Sequence, residues 1–116
     1  MSKEIDLITL DARIAVALGW TELERDGIED RYTAHNPFTQ RWQTIPRFTK
    51  DLAKIVETLE DLCRISNWRI GFQLAGGKWN VEIYERNGAI TSASAESQYQ
   101  AILLALDTLL PQLGDA

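Results

Sequence analysis

From Thr49 onward, apolar residues recur at helical spacing: Leu52, Ile55, Val56, Leu59, Leu62 and Cys63 share one stripe, with Lys50, Lys54, Glu57 and Asp61 on other faces. Thr49 is a natural N-cap for this helix, because its side-chain oxygen can accept from an unpaired N–H of the first turn, and Asn67 is the expected stop. The period then falls to two. In "WRIGFQL" Trp68, Ile70, Phe72 and Leu74 point one way and Arg69 and Gln73 the other; in "WNVEIYE" Trp79, Val81 and Ile83 alternate with Asn80, Glu82 and Glu85. Such alternation marks half-buried strands. "AGGK" and Asn87-Gly88 supply turns, the second being the strongest short hairpin signal, before a third strand "AITSAS". Three hairpin-linked strands make an antiparallel meander. Ser94 is placed to cap a last helix, whose stripe of Tyr99, Ile102, Leu103, Leu106, Leu109, Leu110 and Leu113 runs until Pro111 and Gly114 distort and fray its end.

The first half is less regular. Leu10, Ile14, Ala17 and Leu18 predict a short amphipathic helix capped by Thr9 and stopped by Gly19, with Trp20 and Thr21 opening an extended segment. Residues 26–48 contain Gly27, Asn36, Pro37 and Pro46, and their weak alternation predicts a small hairpin, roughly Ile28 to Ala34 against Arg41 to Ile45. At 116 residues, 45% hydrophobic and 25% charged, the chain suits one domain, 1–116, which buries about two-thirds of its unfolded surface. The expected class is α+β: an antiparallel β-meander packed with three amphipathic helices, an αβα-type sandwich. An antiparallel sheet with three such helices fits more than one layer arrangement. No apolar run approaches the ~18 residues of a membrane span, and "MSKEID" lacks the apolar core of a signal peptide. Cys63 is the single cysteine, which fits a reducing compartment, so a cytoplasmic protein without a membrane partner is expected.

In order along the chain, "LDARIAVALGW" (Leu10 to Trp20), "IPRFTKDLAKIVETLE" (Ile45 to Glu60), "WNVEI" and "SAESQYQAILLALDTLL" resemble the phage "ABA sandwich" domain family, small proteins found mainly in bacteriophages and prophages. Together these segments span nearly the whole chain. The second is similar to the family's Pro-aromatic-(Ser/Thr)-x-Asp helix opening, except that Arg47 stands between Pro46 and Phe48. Where the family's last helix often opens with Thr-Pro-Glu-Ala, this chain has Ser94-Ala95-Glu96-Ser97, which keeps a cap. The resemblance implies an α+β fold and a phage origin. It brings no catalytic residues and no established ligand, so function has to come from the residues themselves.

A net charge of -5 disfavours binding to bulk duplex nucleic acid, which usually meets a basic face. The average conceals an asymmetry: residues 1–30 carry eight acids against three bases, whereas Arg31, Arg41, Arg47 and Lys50 lie in a stretch without any acid. No catalytic constellation stands out. His35, the single histidine, lies beside Asn36-Pro37 in an expected loop with no nucleophile motif near it. Glu22, Glu24, Asp26, Glu29 and Asp30 do not match a calcium loop and read as a solvated surface. Gly76-Gly77-Lys78 lacks the flanks of a phosphate-binding loop and reads as a hairpin turn. Neither catalytic residues, a metal nor a cofactor is therefore expected.

The basic stretch also holds Tyr32, His35, Phe38, Trp42 and Phe48. Planar rings stack on bases at about 1–3 kcal/mol each, and guanidinium forks match phosphate oxygens. In "PRFTKD", Arg47 and Lys50 flank an expected helix opening, whose free N–H groups attract anions. The expected ligand-binding residues are therefore Arg31, Tyr32, Trp42, Arg47, Phe48 and Lys50. The competing structural reading makes Phe48 a hydrophobic staple and turns Arg47 to solvent or pairs it with one of the acids. Two functions follow. One is a non-enzymatic phage sponge that sequesters a small anionic nucleotide, a host immune signal such as a cyclic oligonucleotide or ADP-ribose derivative, as an anti-defense device. The alternative is an acidic protein-interaction module that binds and inhibits a host protein. A homo-oligomer is expected, because antiparallel sheets with exposed aromatics often self-associate, and ligand sites between protomers would follow.

Overall fold

The alternating segments after Asn67 form the meander the pattern predicts. In the computed structural model, which describes residues 5–27 and 31–113, strands β4 (Arg69–Ala75), β5 (Lys78–Glu85) and β6 (Gly88–Ala95) pair antiparallel in that order. Gly76 and Gly77 both have positive φ, 59° and 76°, as a two-residue hairpin turn of this kind requires. The second hairpin places its loop one residue earlier than the Asn87-Gly88 signal suggests. Glu85 pairs with Gly88, so the loop is Arg86-Asn87, and Gly88 (φ 126°) opens β6.

A second antiparallel sheet precedes it: β1 (Thr21–Asp26), β2 (Arg31–Asn36) and β3 (Arg41–Thr44). The expected hairpin is β2 against β3, with Thr33 opposite Thr44 and His35 opposite Trp42. The extended segment after Trp20 joins it as a third strand. His35 is thus a strand residue and not a loop one, because β2 runs through to Asn36 before Pro37 ends it. Ile28, Glu29, Asp30 and Gly114 lie outside the described residues.

Helices α1 (Leu7–Ala17), α2 (Leu52–Ser66) and α3 (Gln98–Leu109) follow the apolar stripes, but each N-cap differs from the expected residue. Asp6, and not Thr9, opens α1, accepting from the N–H groups of Ile8 and Thr9 and from the Thr9 hydroxyl at 2.8 Å. Asp51 opens α2 by accepting from Lys54 N–H at 2.9 Å, because a turn through Phe48 and Thr49 delays the helix. Ser97 opens α3, accepting from Gln100 N–H, because β6 keeps Ser94 in the sheet opposite Asn80. The cap is the residue where extended backbone stops, which a run of several polar candidates does not reveal. Gly19 (φ 101°) ends α1 as expected, with Gly19 and Trp20 N–H groups returning to Val16 and Ala15 carbonyls. Asn67, left-handed, ends α2. Helix α3 stops at Leu109, two residues before Pro111, so Pro111 lies beyond it and distorts no helical turn.

One core joins all of this. Leu10 and Ile14 of α1, Ile55, Leu59 and Leu62 of α2, Val81 and Ile83 of β5, and Ile102 and Leu106 of α3 are fully buried together. Helix α3 lies across β5 and β6, and α1 packs on β2, where Ala34 closes the core. On the meander's other face Glu82 is half-buried and Ser92 and Ser94 are exposed, so the helices gather on its apolar face. Among the described residues no helix is long and apolar enough to cross a membrane.

Candidate functional site

Helix α1 carries two charged residues into the interior, Asp11 and Arg13, both nearly inaccessible. Arg13 lies three positions after Leu10, on the same stripe, and is directed to the end of α3. Its guanidinium donates to the Asp107 carboxylate at 2.7 Å, to the Asp107 carbonyl at 2.7 Å, and to the carbonyls of Leu110 and Pro111. These include carbonyls that a helix C-terminus leaves unpaired.

Asp11 is directed to the segment that leads into α2. Its carboxylate accepts from Thr49 N–H at 2.9 Å. Burial pushes its pKa up, opposed by hydrogen bonding from Thr49 and then by the charges of Arg47 and Arg31. The buried Thr49 hydroxyl lies close enough to act on this carboxylate, yet among the described residues it has no partner in hydrogen-bonding geometry. Tyr99 of α3 donates its hydroxyl to the Thr49 carbonyl, and its own pKa is raised by burial and by the nearby Asp11. Three segments therefore meet on Thr49.

Over this junction the surface forms a dimple of about 20 Å³, lined by Ile8, Asp11, Arg31, Tyr32, Ile45 and Arg47. Arg31 reaches it from the start of β2, with a long contact of 3.4 Å from its guanidinium to the Ile45 carbonyl. Arg47 comes from the segment after β3 and is exposed. Ile8 and Arg47 also border an adjoining open shelf of about 510 Å³ with Ile5, Asp6 and Leu7. One face of the Tyr32 ring is already taken, since the Arg25 guanidinium lies over it, 5.4 Å from the centroid. Among the described residues, neither Arg31 nor Arg47 has a carboxylate at ion-pairing distance. No protein-family model matches the chain, and neither curated proteins nor solved structures give a match.

Three of the six expected binding residues thus converge, and three do not. Phe48 is buried in the core, with Lys54 Nζ 6.0 Å from its ring centroid, and has no face free for a base. Trp42 stands 48% exposed on β3 opposite His35, on the sheet face away from Tyr32. Lys50 is exposed beside the opening of α2 and does not line the dimple. The α2 opening itself is filled by Asp51, so the anion expected there has an internal carboxylate in its place. Asp11, Thr49 and Tyr99 were not among the expected site residues. Asp11 carries a sequence signal, a carboxylate three positions before Ile14 and hence on the flank of the apolar stripe. Among the described residues no three His, Cys, Asp or Glu side chains gather as a metal site.

Proposed function

We propose that this protein binds a small anionic ligand of the nucleotide class, without transforming it, at the dimple formed by Arg31, Tyr32 and Arg47. One observation carries the reading: two guanidinium groups from separate segments meet beside an aromatic ring with no carboxylate in ion-pairing distance among the described residues. Guanidinium forks suit phosphate oxygens. The dimple has room for part of a phosphate, and the adjoining shelf accepts the rest of the molecule. A binder with no chemistry of its own acts by lowering the free concentration of its ligand. The resemblance to phage proteins makes a host immune nucleotide in the host cytoplasm, a cyclic oligonucleotide or an ADP-ribose derivative, the ligand class to test.

The test is thermal unfolding against cyclic di- and trinucleotides, cyclic ADP-ribose isomers and linear nucleotides. At ~100 times its dissociation constant a ligand stabilises the fold by about 2.7 kcal/mol, roughly a 10 °C shift for a domain of this size. The expected result is a shift with one compound class that Arg47→Ala cuts by about half or more and Trp42→Ala leaves intact. A flat response to every compound would sink the reading in favour of an acidic module that inhibits a host protein. That second reading draws on the exposed Glu22 and Glu24 of β1.

A further inference from the structure

The two sheets end in four edge strands, β1, β3, β4 and β6. A free edge presents unpaired N–H and C=O groups to any other strand, and natural sheets blunt such edges with bulges, charges or short length. Three of the four are blunted. Strand β1 is irregular between Thr21 and Glu24, where Glu22 has φ 58°, and it exposes two acids. Strand β3 is four residues long. Strand β6 breaks register opposite Ile83 and Tyr84, leaving Ile90 unpaired. Strand β4 has none of these devices: seven residues in unbroken register with β5, without Pro or an acid, and with Arg69 its single charge. Its apolar side ends in Phe72 and Leu74, 40% and 59% exposed, to the side of the two strands that α3 covers.

We propose that the β4 edge pairs antiparallel with β4 of a second copy of this chain, about a two-fold axis at Phe72, joining two meanders into one sheet. A two-residue turn closes on a hydrogen-bonded pair, here Ala75 and Lys78, and alternation then turns the backbone N–H and C=O groups of Leu74, Phe72 and Ile70 away from β5. Centred on Phe72, those three residues supply the new ladder, with on the order of six hydrogen bonds. Phe72 meets its own copy, and Ile70 meets Leu74, so each apolar residue faces another. On the opposite face Arg69 meets Ala75 and Gly71 meets Gln73, so no like charges oppose. An isologous contact needs such a self-complementary strand. The pairing is independent of any ligand at the Arg31–Arg47 dimple.

Sedimentation equilibrium tests it, with an expected mass twice the 13.2 kDa of the chain. Phe72→Lys and Leu74→Lys, each checked for folding by circular dichroism, should weaken the dimer at least about tenfold, since each sets charge into the new apolar row. The register has its own readout. Opposed Cα atoms at a hydrogen-bonded pair lie about 5.5 Å apart, within disulfide reach, so Phe72→Cys in a Cys63→Ser background should cross-link under mild oxidation. Leu74→Cys in that background should not, because its opposite residue is Ile70. A single-chain mass at about 100 μM would overturn the proposal, given that dimer population rises with concentration. So would a dimer indifferent to both lysines, or cross-linking as fast from position 74 as from 72.

Discussion

Arg13 and Asp11 sit two residues apart on one helix, both buried, and their surroundings differ in kind. Four hydrogen bonds tie Arg13 to Asp107 and to the carbonyls that close α3. Asp11 has one backbone N–H as its hydrogen-bond partner among the described residues, and its opposite charges, Arg31 and Arg47, stand off beyond ion-pairing distance. The Arg13 contact is internally complete. At Asp11, positive charge remains available to something else, and a ligand gains most where the protein has not already used its donors.

The largest effect that tests this contrast is the removal of Arg13. Arg13→Ala removes the buried guanidinium and takes the donor from several carbonyls at the end of α3, and breaking a buried pair on one side costs about 3–5 kcal/mol. That is a fall in Tm of at least about 12 °C for a domain this size. If Arg13→Ala unfolds no more easily than wild type, the Arg13 contacts are not what holds α1 to α3.

How much of this was legible follows from the kind of signal each feature leaves. The meander was readable because its alternation is local and because Gly76 and Gly77 fit a turn that few other residues adopt. The helix caps were misread at Thr9, Thr49 and Ser94, each with a competing polar neighbour two or three residues away. The basic-aromatic stretch was legible as composition, but alternation within β2 and β3 separates Tyr32 from Trp42, and packing consumes Phe48. Arg31 and Arg47 meet through the β2–β3 hairpin, a long-range consequence that spacing alone does not show. Arg13 and Asp107 are 94 residues apart, and no local pattern connects them.

The next effect in size lies at Asp11. Asp11→Ala leaves the buried Thr49 N–H without an acceptor and should cost about 1–3 kcal/mol. Asp11→Asn keeps an acceptor oxygen and should cost less, and its pH dependence is informative. The folded pKa of Asp11 is raised above 3.8, so its contribution favours folding at acid pH and is lost as pH rises through that raised value. Relative to wild type, Asp11→Asn should therefore gain Tm as pH climbs above 3.8. A difference that runs the other way would mean that Arg31 and Arg47 outweigh burial, and the carboxylate would then be as well matched as Arg13.

Tyr99→Phe should come third. It removes the hydroxyl that donates to the Thr49 carbonyl, a loss of about 1 kcal/mol if the carbonyl stays buried. Chemical denaturation with an unchanged m-value would assign that loss to stability and not to a looser native state.

The smallest expected change is the most discriminating. The Arg47 side chain is exposed and makes neither a hydrogen bond nor an ion pair among the described residues, so Arg47→Ala should alter stability by no more than about 0.5 kcal/mol. A charge-assisted fork to phosphate contributes about 1.5–3 kcal/mol, so the same change should weaken an anionic ligand by roughly ten- to a hundred-fold. A residue that carries almost no folding energy and most of the binding energy is the signature of a site, whereas Arg13 should show the reverse. If Arg47→Ala instead destabilises the free protein by about 2 kcal/mol or more, its charge is committed to Asp11 in the way Arg13 is committed to Asp107. The two buried charges of α1 would then be alike, and the dimple would be a second internal clasp with no charge to offer a ligand.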